Sequence, residues 1–215
     1  RLAGGYQARV GDWGRAMDST VYKTIGTYAD SFRFALRKTG DPRMAWLLTN
    51  VVGRSSETDA EWQKVEQAAA GQRDPQLSSV SRNLEGFGLA MLESGSEQDD
   101  VTKKRAIAFR HGAAKGHAHA DALNIEFFAN GVRAVPDAGS RGGSPHPGHM
   151  NAHLGVVVDN ANMRNSTEIN VGGTAWTTAF QPAAGAQYVA GAARFAASPQ
   201  VTRYERQAVL VDLAD

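Results

Sequence analysis

The side chains able to do chemistry are gathered in one stretch. All six histidines, His111, His117, His119, His146, His149 and His153, fall within 43 consecutive residues of a 215-residue chain. Inside that window Gly116-His117-Ala118-His119-Ala120-Asp121 leads into the alternating segment Leu123 to Phe128, and Val135-Pro136-Asp137 closes the segment that follows. Residues two apart in extended backbone project from one face, so His117 and His119 point the same way. Asn130-Gly131 is a strong two-residue hairpin signal. Counted from it, residues i and 261−i are partners, which returns Asp137 to the neighbourhood of His119. His153, just ahead of Gly155-Val156-Val157-Val158, is a third donor. Two histidines and one aspartate are a common zinc set, with a further position left to water or another group. The chain has no cysteine, so a metal can rest only on imidazole and carboxylate. A His-x-His pair alone says little. Asp137, the flanking glycines and the clustering turn it into a metal reading. His146 and His149 read as solvated loop residues, Asp121 as a turn residue or a partner to a ligand, and Leu123, Ile125 and Phe127 as core.

Between Lys103 and His153 lie seven basic residues (Lys103, Lys104, Arg105, Arg110, Lys115, Arg133, Arg141) and three acidic ones (Asp121, Glu126, Asp137), a local charge of +4. That field suits an anionic small ligand or an acidic polymer, while a sheet edge guarded by charge accounts for some of these residues equally well. Over the whole chain 23 Lys+Arg balance 22 Asp+Glu, so nothing in the net charge favours nucleic acid or an anionic bilayer. No apolar run approaches the roughly 18 residues of a membrane span. Neither nucleic acid nor membrane insertion is expected, and the oligomeric state is not legible. The N-terminus Arg1-Leu2-Ala3-Gly4-Gly5 has no signal-peptide core. The missing initiator Met and a strand-like pattern that runs into Val209-Leu210-Val211-Asp212 read as a piece of a longer protein.

Two textures of sequence must position these residues, and they meet near residue 75. From Thr20 to Leu36 the apolar positions Val21, Ile25, Tyr28, Phe32 and Leu36 recur at three- or four-residue steps, the stripe of an amphipathic helix that stops at Gly40. Asp41-Pro42 is a cap followed by proline at the first helical position, opening a second helix through Val52. A third helix covers Asp59 to Ala70, with Trp62, Val65 and Ala69 inward. Pro75 to Leu84 reads as a linker. Beyond it the period changes to that of strands: Phe87 to Leu92, Arg105 to Arg110, Leu123 to Phe128, Val132 to Val135, Gly155 to Asp159, Gln187 to Phe195 and Val201 to Leu213. The expectation is an α+β chain: a helical part over 1–75, then an antiparallel β-sandwich over 76–215.

The stretch RAIAFRHGAAKGHAHADALNIEFFANGVRAVPDAGSR, followed by SPHPGHMNAHLGVVVD, resembles the β-sandwich portion of the heparinase II/III-like polysaccharide lyases, the group that includes heparin, heparan and oligoalginate lyases. TGDPRMAWLL resembles the final helices of that family's (α/α) toroid, and RYERQAVLVDLAD a later strand of the sandwich. The specific part of the likeness lies between Arg105 and Asp159. It implies a toroid end over 1–75, zinc on His119, Asp137 and His153, and His117 facing the substrate as base or charge neutraliser, with Arg110 and Arg141 as weaker substrate contacts. It implies cleavage of a uronate-containing acidic polysaccharide or oligosaccharide by β-elimination, and from that substrate class a periplasmic or secreted location. Two departures stand out: His153 is followed by Leu154 where the family usually has Asn, and the loop from Ala138 to Ala152 has no Tyr.

Two rivals remain open at this level. A cupin-type metal enzyme also opens with His-x-His on a strand, but its usual glutamate would fall where Leu123 and Asn124 stand. A non-catalytic carbohydrate-binding or structural sandwich would use zinc as a staple. The helices before residue 75 favour a lyase over both.

Overall fold

The structure is a computed structural model, and it describes residues 29–72, 80–95, 101–112, 121–137, 153–158, 174–195 and 199–212. The chain divides into two compact units, residues 19–78 and residues 79–215 together with 1–18.

The helical unit is organised by its helix ends. Helix α1, Ala29–Thr39, stops at Gly40, whose φ of 65° is left-handed backbone and whose N–H closes on Leu36 O at 2.8 Å. The part of the expected helix before Ala29 lies outside the described residues. Asp41 caps α2, Pro42–Leu47, by accepting the Arg43 N–H at 2.9 Å, with Pro42 on the first turn where no N–H is needed. The expected helix through Val52 instead widens into a π-turn over Leu48–Val52 that ends at Gly53. Helix α3, Asp59–Ala69, begins with a capping box. Thr58 N–H donates to Glu61 Oε2 at 2.8 Å and Glu61 N–H donates back to Thr58 Oγ1 at 3.3 Å. Trp62, Val65 and Ala69 are only half-buried, and no α3 residue is sealed from solvent. Arg33 of α1, itself buried, ties the unit together by pairing with Glu57 and donating to Gly53 O at 3.1 Å. Its guanidinium holds the Glu57 carboxyl down to about 2.

The second unit holds two antiparallel sheets. Strands β1 (Arg82–Leu84), β2 (Leu89–Ser94), β3 (Arg105–Arg110), β4 (Ile125–Ala129) and β5 (Val132–Val135) form one sheet in chain order, and β6 (Thr174–Pro182), β7 (Ala186–Arg194) and β8 (Tyr204–Val211) form the other. Ala90, Leu92, Ile107 and Phe109 of the first sheet share one core with Val189, Ala193, Tyr204 and Leu210 of the second. Leu89, Met91, Ala106, Ala108 and Phe128 form a further cluster on the other face of the first sheet. Strands β2 and β3 are thus buried on both faces, which is why LAMLES and RAIAFR read as near-continuous apolar runs rather than alternations. Ser81 and Gln187 hydrogen-bond between the sheets, and Gln187 Nε2 donates to Glu93 O at 2.6 Å.

Several expectations are corrected here. The linker over 75–84 contains strand β1. The i to 261−i register holds for Phe128 with Arg133 and Ala129 with Val132, then slips at a bulge so that Phe127 faces Val135. Strand β4 starts at Ile125, not Leu123, because Leu123 has φ 57° and sits in a turn closed by Asn124 N–H on Asp121 O at 3.0 Å. Of the expected strand at 155–159, residues 155–157 are irregular and Val158 makes an isolated β-bridge, with Val156 N–H donating to the Tyr204 hydroxyl at 3.2 Å. Strand β6 was not expected; a register slip between Thr177 and Ala179 breaks its alternation.

Candidate functional site

The end of β5 and the short segment beginning at His153 bring two of the expected metal donors together. Asp137 is 2% exposed and His153 6%, and His153 Nδ1 lies 2.7 Å from Asp137 Oδ2. At that separation Nδ1 and the carboxylate oxygen face one another as two donor atoms directed at a common ion do, and as a hydrogen-bonded pair does when Nδ1 carries the proton. Asn124, also 2% exposed, donates from Nδ2 to the same Asp137 oxygen. Its Oδ1 accepts the Leu154 N–H at 2.9 Å, and its carbonyl accepts the Arg110 N–H at 2.8 Å, extending the β3–β4 ladder by one bond. From β8, Arg206 Nη1 donates to Leu123 O at 2.9 Å and to Leu154 O at 2.5 Å.

Leu123 itself is completely buried, and the space for its side chain comes from Gly191 on β7. A Cβ added at Gly191 would stand 2.8 Å from both Leu123 Cδ2 and Phe109 Cε1. Strand β7 therefore needs glycine for Leu123, and Asn124 after it, to sit where they do.

His117, His119 and Arg141 lie outside the described residues, as do His146 and His149. The expected zinc set is described for Asp137 and His153 alone, and among the described residues no cluster of three or more His, Asp or Glu forms. The donor types fit zinc: one buried carboxylate and one buried imidazole face each other, and a structural or catalytic site needs at least one more such ligand.

Arg110 is buried. Its Nη1 donates to Phe87 O at 2.9 Å and Gly88 O at 2.8 Å, and its Nε lies 3.8 Å from Asp121 Oδ2. Lys104 is buried as well, and Arg133 pairs with buried Glu126. Much of the locally positive charge counted in the sequence is thus engaged within the sandwich. His111 is buried too, with Nε2 2.6 Å from Asn83 Oδ1, and Asn83 Nδ2 reaches Thr177 Oγ1 at 3.4 Å on the other sheet. Burial, followed by the Arg110 charge, lowers the His111 pKa, so this imidazole is held neutral.

Sequence reasoning missed Asn124 and Arg206. A polar Asn and Glu126 interleaved with Phe128 on the second face of a strand that pairs with the buried β3 was a readable sign of buried hydrogen bonding. Arg206 carried no such sign, since its partners are 52 and 83 residues away.

Residues 88–212, more than half of the chain, match the family described as heparinase II/III-like, C-terminal. Among solved structures, a heparinase III gene product is similar over 98% of this chain and 28% of its own, at 16% identity and TM-score 0.62. A heparinase III is similar over 96% of this chain and 29% of its own, at 12% identity and TM-score 0.59. A heparan sulfate lyase from Pedobacter heparinus is similar over 86% and 26%, at 13% identity and TM-score 0.53. At these identities the likeness is one of fold, and the chain spans less than a third of each of those proteins. No curated protein matches the chain.

Proposed function

Because the chain belongs to the heparinase II/III-like family through residues 88–212, we propose that it is part of a polysaccharide lyase acting on a uronate-containing acidic glycan of glycosaminoglycan or alginate type. The helices over 29–69 are the end of an (α/α) toroid in this reading, and 76–215 is the sandwich domain. The buried Asp137–His153 pair carries the proposal: on the family's own domain, two sealed polar side chains converge where packing alone would favour apolar ones.

In the reaction, a base removes the proton α to the uronate carboxylate. The electrons of that C–H bond form the C=C bond, the glycosidic C–O bond breaks, and the leaving oxygen takes a proton from an acid. His117 is the group of this chain assigned to the substrate. A neutral imidazole near pH 7 accepts the proton, and a protonated one offsets the carboxylate charge; both roles fit its pKa range. His119, Asp137 and His153 are the zinc ligands. When bound, the ion supplies a fixed positive centre that orders its ligands. Asp137 and His153 would share the ion through the facing Oδ2 and Nδ1 atoms, and Arg141 is the remaining basic candidate for the glycan's anionic groups. Arg110 is assigned to the glycan more weakly, since its guanidinium already serves Phe87, Gly88 and Asp121. A substrate of this class supports a periplasmic or secreted location. Among the described residues no helix is long and apolar enough to cross a membrane.

The test uses the full-length protein on alginate, heparan and chondroitin, following ultraviolet absorbance of the unsaturated uronate together with elemental analysis for zinc. Absorbance growth with about one zinc per chain is expected, with turnover lost and zinc kept in His117→Ala. Glycan binding without unsaturated product would make the domain a zinc-stapled binding sandwich instead. Zinc lost from His117→Ala and kept in His119→Ala would reverse the assignment of that pair.

A further inference from the structure

We propose that Asn124 is the positioning residue of the Asp137–His153 pair, and that Arg206 fixes the same two backbone segments from the opposite sheet. Asn124 touches both sides of the pair at once. Its Nδ2 donates to the Asp137 oxygen that also meets His153 Nδ1, and its Oδ1 accepts the N–H of Leu154, the residue next to His153. A side-chain amide carries its donor and its acceptor on two separate atoms of one short arm, whereas an ionised Asp only accepts and Ser has both functions on a single oxygen, so neither makes both bonds in the same way. The Asn124 main chain is held in turn, its carbonyl by Arg110 N–H and its N–H on Asp121 O.

Arg206 repeats the link with one nitrogen, Nη1, bridging Leu123 O and Leu154 O. Segments 123–124 and 153–154 are therefore joined twice, by a side chain of the first sheet's own turn and by a guanidinium from β8. Leu123 completes the device. Its φ of 57° is a conformation a non-glycine residue adopts only when its surroundings compel it. Here a buried side chain over Gly191 and a carbonyl caught by Arg206 compel it, and the result is that Asn124 faces Asp137. Groups that orient a ligand in this way are typically worth about 10- to 100-fold in metal affinity.

The role of the pair as zinc donors is the reading made above, and the inference rests on it only for its metal arm. Two measurements on the full-length protein separate the claims: amide hydrogen exchange at Leu154 in metal-free protein, and zinc affinity by competition with a chromophoric chelator. Asn124→Ala should speed Leu154 exchange and weaken zinc about 10- to 100-fold. Arg206→Lys keeps the charge but ends one bond short of the Nη1 position that bridges the two carbonyls, and should move both readings the same way by less. If Asn124→Ala does not fold, Arg206→Lys carries the test. A wild type that takes up no zinc, with a Leu154 amide protected in wild type and released in the variants, removes the metal reading and supports the positioning role. Leu154 exchange equal in wild type and variants overturns the positioning role, as does zinc affinity unchanged in both.

Discussion

In residues 29–72 two of the polar contacts sit where helices begin, Asp41 with Arg43 and Thr58 with Glu61, and a third runs from Arg33 within α1 across to Glu57 just ahead of α3. Several join residues two to four apart, and at Arg43, Thr58 and Glu61 water can replace a lost partner. In the sandwich, Asp121, Asn124, Glu126, Asp137 and His153 are all 6% exposed or less. Their partners arrive through strand pairing and sheet packing, and water cannot substitute for them. A polar contact at a helix end is a local convenience, whereas one between buried strands is a condition for that part of the fold. Removing one partner of a sealed pair takes from the other a bond that solvent cannot replace, and that asymmetry outweighs the modest worth of the bond itself.

Glu126→Ala should break this contrast most severely. It leaves the Arg133 guanidinium, which pairs with it and is 10% exposed, inside the sheet without its carboxylate. A loss of about 3–5 kcal/mol in chemical denaturation is expected. Glu126→Gln keeps an acceptor and should cost less. Gly191→Ala comes next. Its methyl group would press on Leu123 and Phe109, and about 1–3 kcal/mol of overpacking is expected, with faster exchange at Leu154 as the local sign.

Acid should separate the units by window. His111 is held below its ordinary 6.5, so the unfolded chain takes up its proton first; the sandwich should lose stability as pH falls below about 6.5. Glu57 is held at about 2 against an ordinary 4.5. Its contribution is complete above the ordinary value and is lost as pH falls from there towards 2, so the helical unit should weaken only in that lower range. Exchange mass spectrometry across pH 7 to 3 follows both, and a helical unit that loosens first would contradict the assignment. The smallest effect expected is Thr58→Ala, about 1 kcal/mol from the lost cap of α3, read as faster amide exchange in the first turn.

Much of the framework was readable because local rules set it. Gly40, Asp41-Pro42 and the run from Asp59 mark helix ends by backbone chemistry alone, and RAIAFR, IEFFANG and VRAV declare strands and a hairpin. The misreadings fall where distant residues overrule local preference. Gly155-Val156-Val157-Val158 has the composition of a strand, yet Val156 gives its N–H to Tyr204 from 48 residues away. Leu123 belongs to an alternating pattern, but Arg206 and Gly191 hold it in a left-handed turn. At the site, Asp137 and His153 could be paired by type and neighbourhood. The residue that joins them could not, since Asn124 gains its role only when segments 13 and 30 residues downstream have arrived.

The bonds between the two sheets also have a consequence in time. Ser81 meets Gln187 across 106 residues of sequence, Gln187 meets Glu93 across 94, and Arg206 meets Leu123 across 83. Contacts this distant form only after long loops have closed, and chains dominated by them fold slowly. The hairpin turning at Asn130-Gly131 can assemble on its own early, and Asp137 with it. The left-handed turn at Leu123 gains its contacts with Gly191 and Arg206 only when β7 and β8 dock, so the setting of the Asp137–His153 pair is completed by strands that lie far downstream in the chain.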